Sequence, residues 1–418
     1  MKFMRLPVLP RHIGSKRFSR NLLICMISGF SSGLPFFFLI SLLPVWLKSQ
    51  NVPLTLIGLT SLLQLPYALK VLWAPLLDRY PISNRGRRRR WMLLCIGALI
   101  PCMSAMGFTS AHHPGWILAS GLALSVLSAT LDIALDALRR EILSDQELGL
   151  GSSLHVNAYK IAGIIPGALA LILSDHLPWP MVFSICSLFL LPGLLLAYRL
   201  REPPSAQPPA SLRQSLLLPW TDFLQRLGKN QTFLLLLFIM LYKLGDGIAS
   251  SLATPFYLEA GFSRTSIGLI AKQAGLLASI AGSILGGLLM LRVSIAQALL
   301  GFGVVQSFSI LAFYQLSLLV HPGLVDLGTA IAAEAFGVGL GTTALVACIA
   351  QQTNRQFTAS QFALLTSAAA LPRTLINTGS GWLVHQLGWS HFFILCWLLS
   401  LPALLLIRYL PVPAEQPS

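Results

Sequence analysis

Trp73-Ala-Pro-Leu-Leu-Asp-Arg-Tyr-Pro-Ile-Ser-Asn-Arg-Gly-Arg-Arg-Arg-Arg90 separates two long apolar runs. Six of its residues are arginine, in a chain of 418 residues that is 55% hydrophobic and only 10% charged. Soluble domains carry about 25% charged residues. With a mean hydropathy of +0.73, the chain reads as a polytopic membrane protein. A short, strongly basic loop between apolar runs marks the cytoplasmic side of a bilayer.

Working outward from that loop, a crossing needs about 20 mostly apolar residues. Twelve spans are expected, at 21–47, 54–77, 91–109, 114–138, 152–174, 178–198, 231–257, 264–291, 294–318, 325–350, 358–384 and 389–410. With these spans, 22 of the 29 Lys and Arg fall on one side, only Lys48 and Arg264 on the other, and five inside. Both termini are then expected in the cytoplasm, and the net charge of +15 reflects loop placement rather than nucleic-acid binding. The first run is too long for a cleaved signal peptide and reads as a retained span. The six cysteines all lie in apolar runs without metal-ligand spacing and read as packing residues.

The Pro-rich segment Arg201-Glu-Pro-Pro-Ser-Ala-Gln-Pro-Pro-Ala210 cannot pack a core and reads as a linker. The expected organisation is a basic arm (1–20), a six-helix bundle (21–199), a cytoplasmic linker (200–230), a second six-helix bundle (231–411) and a tail (412–418). Leu212–Leu227 within the linker is expected as an amphipathic segment at the membrane surface. Two six-span halves with a basic loop after span 2 resemble the major facilitator superfamily. The loop resembles that superfamily's Asp-Arg…Gly-Arg-Arg motif, with residues inserted before Gly86. The resemblance implies that Asp78, Arg79, Gly86 and Arg87 form a conformational latch between helix ends. The alternative is a plain positive-inside anchor.

Nine ionisable residues other than His fall inside the expected spans: Lys70, Asp132, Asp136, Lys160, Lys243, Asp246, Lys272, Glu334 and Arg373. An ionisable group at that depth is costly, so it faces a cavity or a partner. None lies in spans 3, 6, 9 or 12. In the major facilitator fold those four are the outer supports, and the other eight surround the cavity. Asp132 and Asp136 share one helical face. Adjacent buried carboxylates can take and release a proton, the property that proton coupling needs. Asp132 and Lys160 sit at similar depth and are expected to be able to pair. For Asp136 the alternative is a plain ion pair with Arg139, Arg140 or Arg79. Five cations against four anions favour a substrate bearing carboxylate or phosphate.

Leu241-Tyr-Lys-Leu-Gly-Asp246 follows the wholly apolar Phe233–Met240. Lys243 and Asp246 are three apart on a helix, so the stretch is either a local ion pair or part of a transport pathway. Gly337-Val-Gly-Leu-Gly-Thr-Thr343 and Gly282–Gly287 let helices approach closely. The His residues, His155 and His385 among them, lie mostly near span ends. No metal set and no cofactor are expected, and no His/Asp or Ser/Lys constellation suggests an enzyme.

Five stretches in order are similar to AmpG-type muropeptide permeases: Gly29-Phe-Ser-Ser-Gly-Leu-Pro35, Tyr67–Arg79, Asp132-Ile-Ala-Leu-Asp-Ala137, Leu241–Asp246 and Ala359-Ser-Gln-Phe-Ala-Leu-Leu365. The resemblance implies proton-driven import of N-acetylglucosamine–anhydro-N-acetylmuramic acid, with or without peptide, across the bacterial inner membrane by a monomer. It implies protonation sites at Asp132 and Asp136. It implies cavity or gating roles for Lys70, Tyr242, Lys243, Asp246, Lys272, Gln361 and Arg373, beside Lys160 and Glu334. Three departures stand out. The chain stops after twelve expected spans where many members have two more, Leu131 replaces the family's Gln, and the loop Pro81–Arg85 differs. Siderophore importers of the rhizobactin and pyochelin type share the first two stretches and are the alternative, with acetyl-CoA transporters more distant.

Overall fold

The computed structural model describes residues 16–410 apart from 54–56, 58, 81–85, 110–113, 201, 203–210, 264–265, 268–269, 271 and 378–379. The start of the basic arm, the Pro81–Arg85 loop, most of the Pro-rich linker and the tail therefore lie outside the described residues, as do the side chains of Lys272 and Arg373.

Every regular element among the described residues is helical. The elements that position the site are α1 (Lys16–Phe37), α2 (Ala74–Arg79), α3 (Arg87–Met106), α4 (Pro114–Ile142), α5 (Leu148–Ala162) and α6 (Leu212–Leu227). They are followed by α7 (Lys229–Tyr242), α8 (Leu244–Ser251), α9 (Lys272–Leu289), α10 (Ile295–Ser309), α11 (Leu324–Gln352) and α12 (Thr358–Asn377). Nine helical stretches among the described residues are long and apolar enough to cross a membrane, and Gln273–Leu289 is a shorter apolar helix.

Local chemistry sets the boundaries. α10 begins with a capping box in which Ser294 and Gln297 satisfy each other's backbone N–H. α6 is capped by Ser211 and stops at Gly228, whose φ of 79° takes the chain out of the helix. The stretch before α2 is broken into short 3₁₀ and α pieces, because Pro66 and Pro75 supply no backbone N–H. Lys70 sits in one of these 3₁₀ turns. In the second half, Lys243 (φ −108°, ψ 11°) interrupts the rod between α7 and α8. Lys70, buried, and Lys243, half-buried, thus stand at helix interruptions, where side chains leave the rod at angles a continuous helix does not offer.

Small residues bring the inner helices together. A Cβ at Gly29 would lie 2.1 Å from the His155 carbonyl oxygen, and one at Gly33 would lie 2.4 Å from that of Tyr159. α1 and α5 are therefore in backbone contact. α9 and α11 repeat this arrangement, with Gly282 against Phe336 and Gly339 against Ser279.

The halves meet at the end that carries the arginine-rich loop, called here the basic end. Ala359 and Ala363 of α12 pack into the apolar core of the first half. Cys25, Leu143 and Leu148 pack into that of the second. Hydrogen bonds between the halves run from this end inward, from Arg355 to the Leu143 carbonyl (3.4 Å), through Ser153 to the Ser283 carbonyl (2.6 Å), up to Lys160 on Ser279.

Candidate functional site

Among the described residues, three polar clusters occupy the bundle. In the first half, the Lys70 ammonium pairs with Asp132 and lies 3.5 Å from Asp136. Ser32 of α1 donates to Asp132 (2.6 Å), and Arg139 donates to Asp136 (2.9 Å). His155 of α5 places Nε2 at 4.0 Å from Asp136. Two cations and two carboxylates alternate, so each buried charge has an opposite neighbour. Lys70, Asp136, Arg139 and His155 are all buried, and Asp132 is the most accessible of the five.

The second cluster centres on the interruption between α7 and α8. Lys243 and Asp246 pair at 2.5 Å. Gln306 of α10 clamps them: its Oε1 accepts from Lys243 (3.1 Å), and its Nε2 donates to Asp246 and to the Tyr242 carbonyl (both 3.2 Å). The amide fits only because position 341 on α11 is glycine, where a Cβ would stand 1.8 Å from Gln306 Oε1. Nearby, Ser250 donates to Glu334 (2.6 Å). Lys160 reaches across from α5 to Ser279 and is within electrostatic range of Lys243 and Glu334. Asp132 therefore pairs with Lys70 rather than with Lys160, because the break at Lys70 turns that side chain toward α4.

The third cluster closes the basic end. Asp78 accepts from Arg88 (2.7 Å) and, across the halves, from the Ser360 N–H (2.9 Å) and hydroxyl (2.6 Å). The Ser360 N–H, with that of Ala359 (3.3 Å), belongs to the first turn of α12, where a carboxylate is electrostatically favoured. Glu141 of α4 accepts from Arg87 (3.1 Å), Arg88 (2.9 Å) and Thr358 (2.9 Å). Gly86 has φ +124°, and the Glu202 carboxylate occupies the space beside it, capping α3 through the N–H groups of Arg88 (3.1 Å) and Arg89. Arg79 lies over the Tyr80 ring, its guanidinium carbon 5.5 Å from the centroid. The fully buried arginines beside Asp78 are Arg87 and Arg88.

Two residues expected at the cavity point elsewhere. Tyr242 donates to the Leu299 carbonyl (3.0 Å) within the apolar core, and only its backbone oxygen meets the second cluster. Gln361 donates to Asp222 (2.7 Å) and to the Pro219 carbonyl (3.1 Å), so it ties α6 to α12. Among the described residues, no group of three or more His, Cys, Asp or Glu is placed to hold a metal ion.

Comparison with known proteins bears on what these clusters serve. The pattern of the Major Facilitator Superfamily matches residues 25–377. The anhydromuropeptide permease of Escherichia coli K12 is 37% identical over 391 residues, covering 92% of this chain and 78% of that protein. The chain belongs to the AmpG-type muropeptide permease family of the major facilitator superfamily. An uncharacterized Haemophilus influenzae protein is 42% identical over 414 residues, 97% of each chain. The crystal structure of the human organic anion transporter MFSD10 superposes with a TM-score of 0.72 at 17% identity, covering 93% of this chain and 99% of that one, which shows the shared fold. Members of this family are membrane transporters, not enzymes, and this chain is a multi-pass membrane protein.

Against that family background, the structure adds partners that sequence reading passed over. Arg88 and Glu141 complete the buried basic-end cluster. The run Arg87–Arg90 signals positive charge but not which arginine turns inward. Gln306 is uncharged and lies in an expected outer span, so a search for buried charge misses it. His155, near a span end in sequence, is buried beside Asp136. Its spacing from Tyr159, with the Gly29/Gly33 pair opposite, was the available signal.

Proposed function

We propose that the chain imports anhydro-muropeptides, N-acetylglucosamine–anhydro-N-acetylmuramic acid with or without its peptide, across the bacterial inner membrane by proton-coupled alternating access. The observation that carries the coupling is Lys70 shared between Asp132 and Asp136 in the first half. A proton arriving on either carboxylate removes a negative charge from a balanced cluster. It frees Lys70 from one partner and changes which contacts the first half can make. Lys160, Lys243, Asp246 and Glu334 supply the polar surface for a bulky anionic sugar, with Lys272 and Arg373 as further cationic contacts.

In this reading twelve spans cross the bilayer, both termini face the cytoplasm and the protein works as a monomer. The basic end is the cytoplasmic gate, closed here by Asp78, Arg87, Arg88 and Glu141 against α12. Gly86 makes room for Glu202, and Arg79 supports the turn at Tyr80. Opening requires Asp78 to release Ser360, while the ion pairs within the first half persist.

The test is uptake of labelled N-acetylglucosamine–anhydro-N-acetylmuramic acid into inside-negative vesicles with an acidic exterior. Concentrative uptake that collapses with a protonophore is expected. No uptake of the disaccharide, with uptake of a ferric siderophore, would overturn the substrate reading.

A further inference from the structure

His155 lies outside every role assigned so far, and its surroundings define its chemistry. Ser28 of α1 donates its hydroxyl proton to the Cys25 carbonyl at 3.0 Å. A hydroxyl has one proton to give, so the Ser28 oxygen, 3.4 Å from His155 Nδ1, accepts there. The neutral ring therefore carries its proton on Nδ1. Its bare Nε2 faces Asp136 Oδ1 at 4.0 Å. The ring is buried, with 4% of the residue exposed, and the contact of Gly29 with the His155 backbone fixes the base of the side chain.

The position along the helices matters as much. At 1.5 Å per residue, Asp136 and His155 lie level, about 9 and 10 Å from the basic ends of their helices, and both are nearer that end than Asp132, at about 15 Å. The charged groups acting on the ring are Asp136 and Arg139 of α4 and Lys70, while α1 presents Ser28 and the Cys25 carbonyl. A carboxylate left at Asp136 is met by Arg139 and Lys70. An imidazolium at His155 has those same two cations as neighbours, with the Asp136 carboxylate facing it at 4.0 Å.

We infer that His155 is a proton-relay residue, taking the coupling proton from Asp136 at Nε2 across to α5 and releasing it to water when the basic end opens. The inference rests on the proton-coupled reading above. In the step, the Asp136 Oδ1–H bond breaks and the Nε2–H bond forms, giving carboxylate and imidazolium. When the basic end opens, water removes one ring proton and the neutral imidazole returns. A small rotation closes the 4.0 Å gap to hydrogen-bond distance.

The experiment compares wild type, His155→Gln and Ser28→Ala in proteoliposomes, using labelled N-acetylglucosamine–anhydro-N-acetylmuramic acid. Each protein is assayed for accumulation driven by a pH gradient, and for counterflow at equal pH without a gradient. Counterflow exchanges substrate without net proton release, so it reports folding and substrate movement alone. The relay predicts that His155→Gln loses accumulation at least tenfold and keeps counterflow within about twofold. Ser28→Ala frees the tautomer and lowers accumulation about threefold, again with counterflow kept. Accumulation by His155→Gln within twofold of wild type overturns the relay. So does loss of both activities in His155→Gln with Ser28→Ala unaffected, which marks a packing residue. Loss of both in His155→Gln with a selective defect in Ser28→Ala supports it. A wild type with no gradient-dependent uptake overturns the proton-coupled reading, and this inference with it.

Discussion

Ser360 donates both its backbone N–H (2.9 Å) and its hydroxyl (2.6 Å) to Asp78, a residue 282 positions earlier in the chain. The pair joins the end of α2 to the first turn of α12. Asp78 is fully buried, so its charge depends wholly on Arg88, Arg87 and this helix terminus. Removing one partner of such a group costs about 3–5 kcal/mol. Asp78→Asn is therefore expected to favour opening of the basic end. In a background lacking the native cysteines, Ala363→Cys sits 2% exposed between the halves. Its labelling by a membrane-impermeant thiol reagent added from the basic side should rise at least fivefold with Asp78→Asn. Unchanged labelling would show that the gate does not hang on Asp78.

Lys70 holds two carboxylates, so its loss and theirs should compensate. Lys70→Met leaves Asp132 and Asp136 facing each other with Arg139 as the chief remaining cation. A fall in melting temperature is expected for Lys70→Met and for Asp132→Asn. The double variant should recover a coupling energy of about 2 kcal/mol in a double-mutant cycle. Strict additivity would mean that the two side chains do not share a site.

Gln306 makes three hydrogen bonds around the interruption at Lys243. Gln306→Leu leaves their partners short by a donor or acceptor, at about 1–3 kcal/mol for a buried group left unsatisfied. Gly341→Ala pushes a methyl group into the amide's place and should reproduce the defect in melting temperature and in uptake. Wild-type behaviour in both variants would remove the clamp from the account.

Gln361 separates the structural from the substrate-facing polar residues. It and Asn354 hold Asp222 of α6 (2.7 and 2.8 Å). Gln361→Ala and Asp222→Ala should raise the rate of limited proteolysis in the linker while leaving the KM for substrate within about twofold. A large KM change with an intact linker would return Gln361 to the cavity.

The contrast between Gln361 and Lys243 shows what was legible in the chain itself. Hydropathy and the one-sided placement of Lys and Arg led to a helical membrane protein, since a bilayer constrains composition along the whole chain, and the superfamily followed from the resemblance of its loop and stretches. Buried charge located Lys70, Asp132, Asp136, Lys243 and Asp246 because desolvation makes such residues rare. Facing was not legible. Tyr242 adjoins Lys243 in sequence, but a rotation of about 100° per residue turns it to the apolar core. Pairing was only partly legible. Asp246 is one helical turn from Lys243, whereas Lys70–Asp132 spans 62 positions and depends on two prolines that break the helix before α2. Asp78–Ser360 depends on how the halves close, which no local pattern records.

Substrate-induced proton movement tests the central claim most directly. Proteoliposomes without a gradient receive N-acetylglucosamine–anhydro-N-acetylmuramic acid in weakly buffered medium while external pH is recorded. The account predicts alkalinisation as protons enter with the sugar, abolished by Asp132→Asn. Sugar entry without any pH change in the wild type, or unchanged alkalinisation in Asp132→Asn, would contradict it.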